Sequence, residues 1–171
     1  IGEMTLFRTT YNSSMGITVI KDQKKGSISI NKTDQDCIDV AVEQVMEMSK
    51  GSQPDEAYDI AEQQTPHVFS KGDESANLDN MYKSLKEFVE YVKSIYPMIQ
   101  IEQAIMDFNH IQSIFQNTNG VDFEIREGMY GFSPFFLSKD GKNTSSFNYT
   151  GFSALKIDKP LYKYGTIDAL L

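Results

Sequence analysis

The chain has 171 residues, with 24 Asp and Glu against 16 Lys and Arg and a net charge of −8. That length suits one ordinary domain with a real core, and the acidic balance, with no Lys/Arg cluster to neutralise phosphates, disfavours direct nucleic-acid binding. No apolar run approaches the roughly 20 residues needed to span a bilayer and no signal peptide opens the chain, so a cytoplasmic protein without membrane contact is expected. The single Cys37 cannot staple the chain internally. Four N-x-[ST] sequons, at Asn12, Asn31, Asn143 and Asn148, are what chance supplies in a chain rich in Asn, Ser and Thr.

Taken in order, residues 5–13 and 16–32 read as strands. Ile17, Val19, Ile28 and Ile30 alternate with polar residues, and Lys24-Lys25-Gly26 marks a turn between two arms. Thr33-Asp34-Gln35-Asp36 has the form of a capping box, and Ile38, Ala41, Val42, Val45 and Met46 behind it form one apolar helical stripe that Gly51 should end in αL. Residues 49–77 loosen into Gly, Ser, Pro and charge, with a short helical candidate over Asp55 to Gln63. A second helix follows: Leu78, Met81, Tyr82, Leu85, Phe88, Val89, Val92, Ile95 and Tyr96 hold helical spacing until Pro97.

A long strand from Ile99 to Phe115, bent near Asp107 to His110, leads into the most patterned stretch, Phe115 to Gly151. This reads as a meander. Asn119-Gly120 and Asp140-Gly141 suit type I′ turns. Val121, Phe123 and Ile125 alternate with polar residues, Glu127-Gly128 offers a bend or bulge, and Met129 to Leu137 should be covered on both faces. Thr144 to Phe152, rich in Ser, Thr, Phe and Tyr, suits a strand with small hydroxyls on one face. Lys159-Pro160 and Gly165 break the chain, and Thr166 to Leu171 starts a helix that stops abruptly. The expected architecture is α+β: a mainly antiparallel β-sheet with two amphipathic helices packed on one face. Residues 1–165 form the domain, and 166–171 begin a connection to a further, C-terminal domain.

No catalytic centre emerges from the residues. His67 and His110 lie outside any metal-binding spacing, so no metal ligand is assigned. Cys37 sits beside an apolar stripe, where a buried small hydrophobe is its natural role. A Ser or Cys hydrolase would need Cys37 or a serine to meet His67 or His110 in the fold, and Ser145 and Ser146 lack a nucleophile elbow. Asp122, Glu124 and Glu127, with Arg126 among them, read as a solvated strand face rather than paired catalytic acids. Gly128 and Gly131 make no phosphate-binding loop.

Two segments carry a family resemblance: GITVIKDQKKGSISIN, residues 16–31, followed by the helix and PDEAYDIAE at 54–62, and NTNGVDFEIREGMYGFSPFFLSKDGKNTSSFNYTG at 117–151. Together they resemble the N-terminal domain of the TldD/PmbA family of zinc-dependent peptidases, once described as modulators of DNA gyrase, and are closer to the PmbA branch. The likeness runs from about Leu6 to Gly165. It implies a fragment that carries no metal or catalytic residues, because the family's His-Glu-x-x-x-His helix and later Cys belong to a C-terminal domain and match no position here. Zinc would then be held by the full-length protein or its partner.

The resemblance also implies a homodimer or a TldD-type partner subunit, and unfolded peptides cleaved or matured in a chamber that this domain helps enclose. Family members usually begin with a further helix and strand before the equivalent of Leu6, so one sheet edge is expected to be left open. An extended peptide is held most simply at a strand edge, and Ser145, Ser146, Asn148 and Tyr149 are the candidate groove residues. The alternative reading is a stand-alone peptide-binding or protein-interaction module without peptidase activity.

Overall fold

The computed structural model describes residues 6–171. They divide into two compact units. One comprises residues 6–65 with Asn117–Val121, and the other Pro66–Gln116 with Asp122–Leu171.

The first unit is a helix on a hairpin. Strands β1 (Met15–Lys21) and β2 (Lys24–Ile30) pair antiparallel, with Ile17 opposite Ile28 and Val19 opposite Gly26. Their turn is Asp22-Gln23, both at positive φ (52° and 60°), and not Lys24-Lys25-Gly26, which lies within β2. Pairing Ile17 with Ile28 and Met15 with Ile30 fixes that register, because a one-residue slip would turn the apolar set outward. Residues 6–13 form no strand, and residue 5 of the expected first strand lies outside the described residues.

Helix α1 (Gln35–Gly51) starts one residue later than the capping box suggests: Asp34 is the N-cap, its carboxylate accepting from the Cys37 amide at 3.1 Å. Gly51 stays out of the αL region. Ser52 ends the helix instead, its hydroxyl donating to the Ser49 carbonyl and accepting from the Lys25 amide, each at 3.1 Å. Ala41, Val45 and Ser49 are the buried side of α1. Ser49 also donates to the Lys24 carbonyl. Gly26 lets the strand approach the helix backbone, since a Cβ there would collide with the Val45 carbonyl and stand 2.7 Å from the Ser49 nitrogen. The expected helix over 55–63 does not form. The Asp55 and Asp59 carboxylates accept from the amides of Ala57 and Ile60, local bonds that compete with a helical ladder.

In the second unit β5 (Asp122–Asp140) is the central strand. Strand β4 (Ile99–Gln116) pairs antiparallel along one edge of it. Along the other edge lie β3 (His67–Lys71), parallel, and then short antiparallel strands β8 (Phe152–Ala154), β7 (Asn148–Tyr149) and β6 (Asn143–Thr144). The α+β class therefore holds, but as two sheets: α1 packs on β1 and β2, whereas α2 (Leu78–Ile95) packs against β4 in the larger, mixed sheet.

Phe88 and Val92 of α2 meet Phe132, Leu161 and Ile167 in the core, with the Phe88 and Phe132 rings edge to face at 4.9 Å. A 3-10 turn (Leu161–Lys163) and α3 (Ile167–Leu170) complete this unit. Residues 166–171 pack with it: Ile167 is fully buried, and Asp168 accepts from the hydroxyls of Tyr91 and Tyr96.

Several irregularities fall elsewhere than the sequence suggests. The bulge in the long hairpin is at Ile101/Gln103, and β5 runs through Glu127-Gly128 unbroken. Gly128 instead leaves room for the Asp73 carbonyl, which a Cβ would strike. Only the glycine of each expected type I′ pair has positive φ, Gly120 at 90° and Gly141 at 57°. The β4–β5 turn is a wider loop closed by Asn117, whose side-chain carbonyl accepts from the amides of Asn119 and Val121. The strand expected over 144–152 breaks into pieces, because Ser145 Oγ accepts from the Ser138 amide and donates to the Ser146 carbonyl.

Replacing Phe88 by Ala is expected to cost about 3–5 kcal/mol of stability. Gly26→Val is expected to cost about 1–3 kcal/mol by overpacking a backbone contact. Denaturant titration checks both, and a change under about 0.5 kcal/mol, the range of an ordinary surface substitution, would contradict the packing described.

Candidate functional site

Helix α2 covers one face of the larger sheet around Ala104, Met106 and Phe132, but not as far as Ile114, which is 63% exposed on that same face. Past the bulge, even-numbered β4 residues lie opposite even-numbered β5 residues, and Ala104, Met106 and Phe132 of this set pack toward α2. The odd-numbered set points the other way. There Ile105, Ile111 and Phe115 of β4, Ile125 of β5 and Phe69 of β3 are all substantially exposed. Phe69 sits between the rings of His67 (4.4 Å) and Phe123 (5.9 Å). Scattered exposed apolar residues are ordinary, but this set shares one face of three adjacent strands, as a binding surface does.

The polar side of the distal sheet is held by charge. Arg126 Nε donates to Glu124 Oε1 at 2.6 Å and Gln112 donates to the same oxygen, which together keep the Glu124 carboxyl below its ordinary range. Asp122 accepts from Gln116 on this side, whereas Glu127, 3.9 Å from Lys71, lies on the other face beside Ile111 and Ile125. These acids are tied to neighbours along the strands and form no catalytic pair.

The four groove candidates lie together between β5 and β8, in different states. Ser145 is committed: its hydroxyl holds Ser138 and Ser146. Ser146, Asn148 and Tyr149 are exposed, Tyr149 by 80%, and Phe147 stacks on Phe135 at 4.8 Å beside them. Asn148 and Tyr149 pair with Phe136 and Phe135 through β7, whose other edge pairs with no strand among the described residues.

The remaining reactive groups have plain surroundings. Asp34 bonded beside Cys37 pushes the thiol's pKa up, opposite to what a nucleophilic cysteine needs. His67 is exposed against Phe69, and His110 is exposed on β4 opposite Gly128. Among the described residues, no group of three His, Cys, Asp or Glu could hold a metal ion. No described helix is long and apolar enough to cross a membrane. Among the described residues the arrangement offers exposed strand edges and a set of exposed apolar side chains on one face.

Sequence reasoning missed the apolar face, because β3 was not foreseen. The signal present was apolar residues at both even and odd positions of β4, which a strand with one solvated face does not require.

Comparison with known proteins agrees with the resemblance in the sequence. Residues 2–49 match the family model described as PmbA/TldA metallopeptidase domain 1. No curated protein matches. Among solved structures, TldE from Thermococcus kodakarensis has the same fold over 92% of this chain, with a TM-score of 0.71 and 17% identity. The chain covers 37% of that TldE chain. The segment at 16–31 is thus supported by the family model, whereas the segment at 117–151 is supported by the fold.

The Asp34–Cys37 contact has a measurable consequence. In native protein near pH 8, Cys37 should react with a thiol reagent more slowly than a free cysteine, and Asp34→Ala should speed it by roughly threefold or more by removing the carboxylate. Equal rates in the two proteins would contradict the assignment. The pKa of Asp34 itself is lowered by the Cys37 amide, so its cap on α1 holds above the ordinary carboxylate range and is lost only as pH falls through that lowered value.

Proposed function

We propose that this TldD/PmbA-type N-terminal domain is the non-catalytic part of a cytoplasmic PmbA-like subunit, which encloses unfolded peptide substrate and contributes to dimer formation in a metallopeptidase system. The observation that carries the reading is the TldE fold over 92% of the chain, joined to the family match at residues 2–49. The chain corresponds to little more than a third of that TldE, and in this reading hydrolysis belongs to residues outside it or to a TldD-type partner. Zinc held there would activate water and polarise the scissile carbonyl. The described residues supply no ligand set for such an ion, and their part is to bind and to enclose.

Exposed strand edges suit that part. Main-chain hydrogen bonds hold an extended peptide without demanding a sequence, and side chains beside the edge add grip. Ser146, Asn148 and Tyr149 line such an edge at β7, with Phe147 and Phe135 stacked next to it. Ser145 contributes by fixing the strip, since its hydroxyl is fully engaged.

The test is peptide processing by the full-length protein with its co-purified partner, alongside zinc content of each. Ser146→Ala with Asn148→Ala is expected to raise KM for an unfolded peptide about fivefold while kcat holds, the signature of lost uniform binding. Unchanged turnover would overturn the groove assignment. A metal-free full-length chain with no partner and no activity would favour a stand-alone interaction module.

A further inference from the structure

The long strand β4 has one edge in use. Ile99–Gln116 pairs with β5 along one side, and among the described residues no strand pairs with the other. No other contact replaces it: the backbone groups of Gln100–Gln116 make no hydrogen bond to a loop or helix among the described residues. Such edges are normally blunted by Lys, Pro, bulges or brevity. Beyond its bulge at Ile101/Gln103, β4 has none of these: Ala104–Gln116 contains no Lys, Arg or Pro, and one acid, Asp107. In a chain of net charge −8 this is an unusually neutral segment.

The edge is also complementary to itself. An antiparallel pair with a second copy, centred on His110, sets Ile105 opposite Phe115 of the other copy, Met106 opposite Ile114, and Asp107 opposite Ser113. Phe108 then faces Gln112 and Asn109 faces Ile111. No acid meets an acid or an apolar side chain. Moving the centre to Asn109 or Ile111 sets Asp107 against Ile111 or Phe115, and moving it to Phe108 sets Glu102 against Ile114. Thirteen paired residues span about 40 Å and supply about a dozen main-chain hydrogen bonds, comparable with a whole ordinary interface.

We propose that two copies of this chain join through β4, antiparallel about a two-fold axis at His110, into one sheet continuous across both. Its odd-numbered face then brings Ile105 of each copy beside Phe115 of the other and extends the apolar surface across the axis. The proposal rests on the dimer reading above and gives it a surface and a register.

Cysteine cross-linking in full-length protein with Cys37→Ser tests it, because an antiparallel strand pair holds opposed Cα atoms about 4.5–5.5 Å apart, within disulfide reach. His110→Cys is expected to oxidise to a disulfide-linked dimer, whereas Ile105→Cys alone is not. A mixture of Ile105→Cys and Phe115→Cys proteins should give the mixed dimer. In a separate test, Asn109→Lys with Ile111→Lys should weaken dimerisation at least tenfold by sedimentation. A dimer that neither cross-links at position 110 nor responds to the lysines overturns the β4 interface and leaves the dimer reading standing. Cross-linking only to a different subunit overturns pairing with a second copy. A protein that is monomeric at every concentration overturns both.

Discussion

The larger unit depends on the ladder that β5 offers on both of its edges. Every other strand of that sheet pairs with it, β4 along one side and β3, β8, β7 and β6 end to end along the other. One strand therefore sets the register of all the rest. The alternation that buries Tyr130, Phe132, Pro134 and Phe136 on one side also fixes which side chains of β4 and β3 face away from α2. The exposed apolar set and the free edge are two results of the same arrangement: a central strand paired along both edges, with α2 over part of one face.

Close backbone approach is the second constraint, and it falls on glycines. Gly26 allows α1 to rest directly on β2, and Gly128 lets the chain after β3 cross the sheet. Tyr130 secures that crossing, its hydroxyl donating to Asp73 and accepting from the Asn77 amide at the start of α2. Burial pushes the Tyr130 hydroxyl's pKa up, which keeps it protonated and able to donate. A sequence pattern shows that these glycines exist, but the atom each must avoid comes from a segment far away in the chain.

This explains what was legible. Both long helices and the β1–β2 pair follow from local periodicity, and the end of α2 before Pro97 follows from local chemistry, whereas its cap at Asn77 is seen only in the fold. The apolar run of β5 was readable because Val121, Phe123 and Ile125 alternate with polar residues before it and Asp140-Gly141 ends it. Strand β3 was not, since His67–Lys71 is exposed throughout and owes its extended form to pairing with Phe123–Glu127. The false helix at 55–63 and the broken strand at 144–152 share a cause: Asp and Ser side chains bonding the nearby backbone in place of a ladder. At the groove, residue type identified Ser145, but only its partners show that its hydroxyl is already occupied.

The parallel pairing of β3 also bears on how the sheet is assembled. The β4–β5 hairpin closes through its own loop, Asn117–Val121, a local event. Strand β3 reaches its place on β5 only after α2 and β4 have been accommodated in between, so its five pairs form against a much larger loop-closure entropy. With exposed side chains and no buried apolar anchor of its own, β3 belongs at the low end of local stability and opens before the hairpin does. Each such opening bares the stretch of β5 from Phe123 to Glu127, so that this part of the central strand becomes transiently an edge.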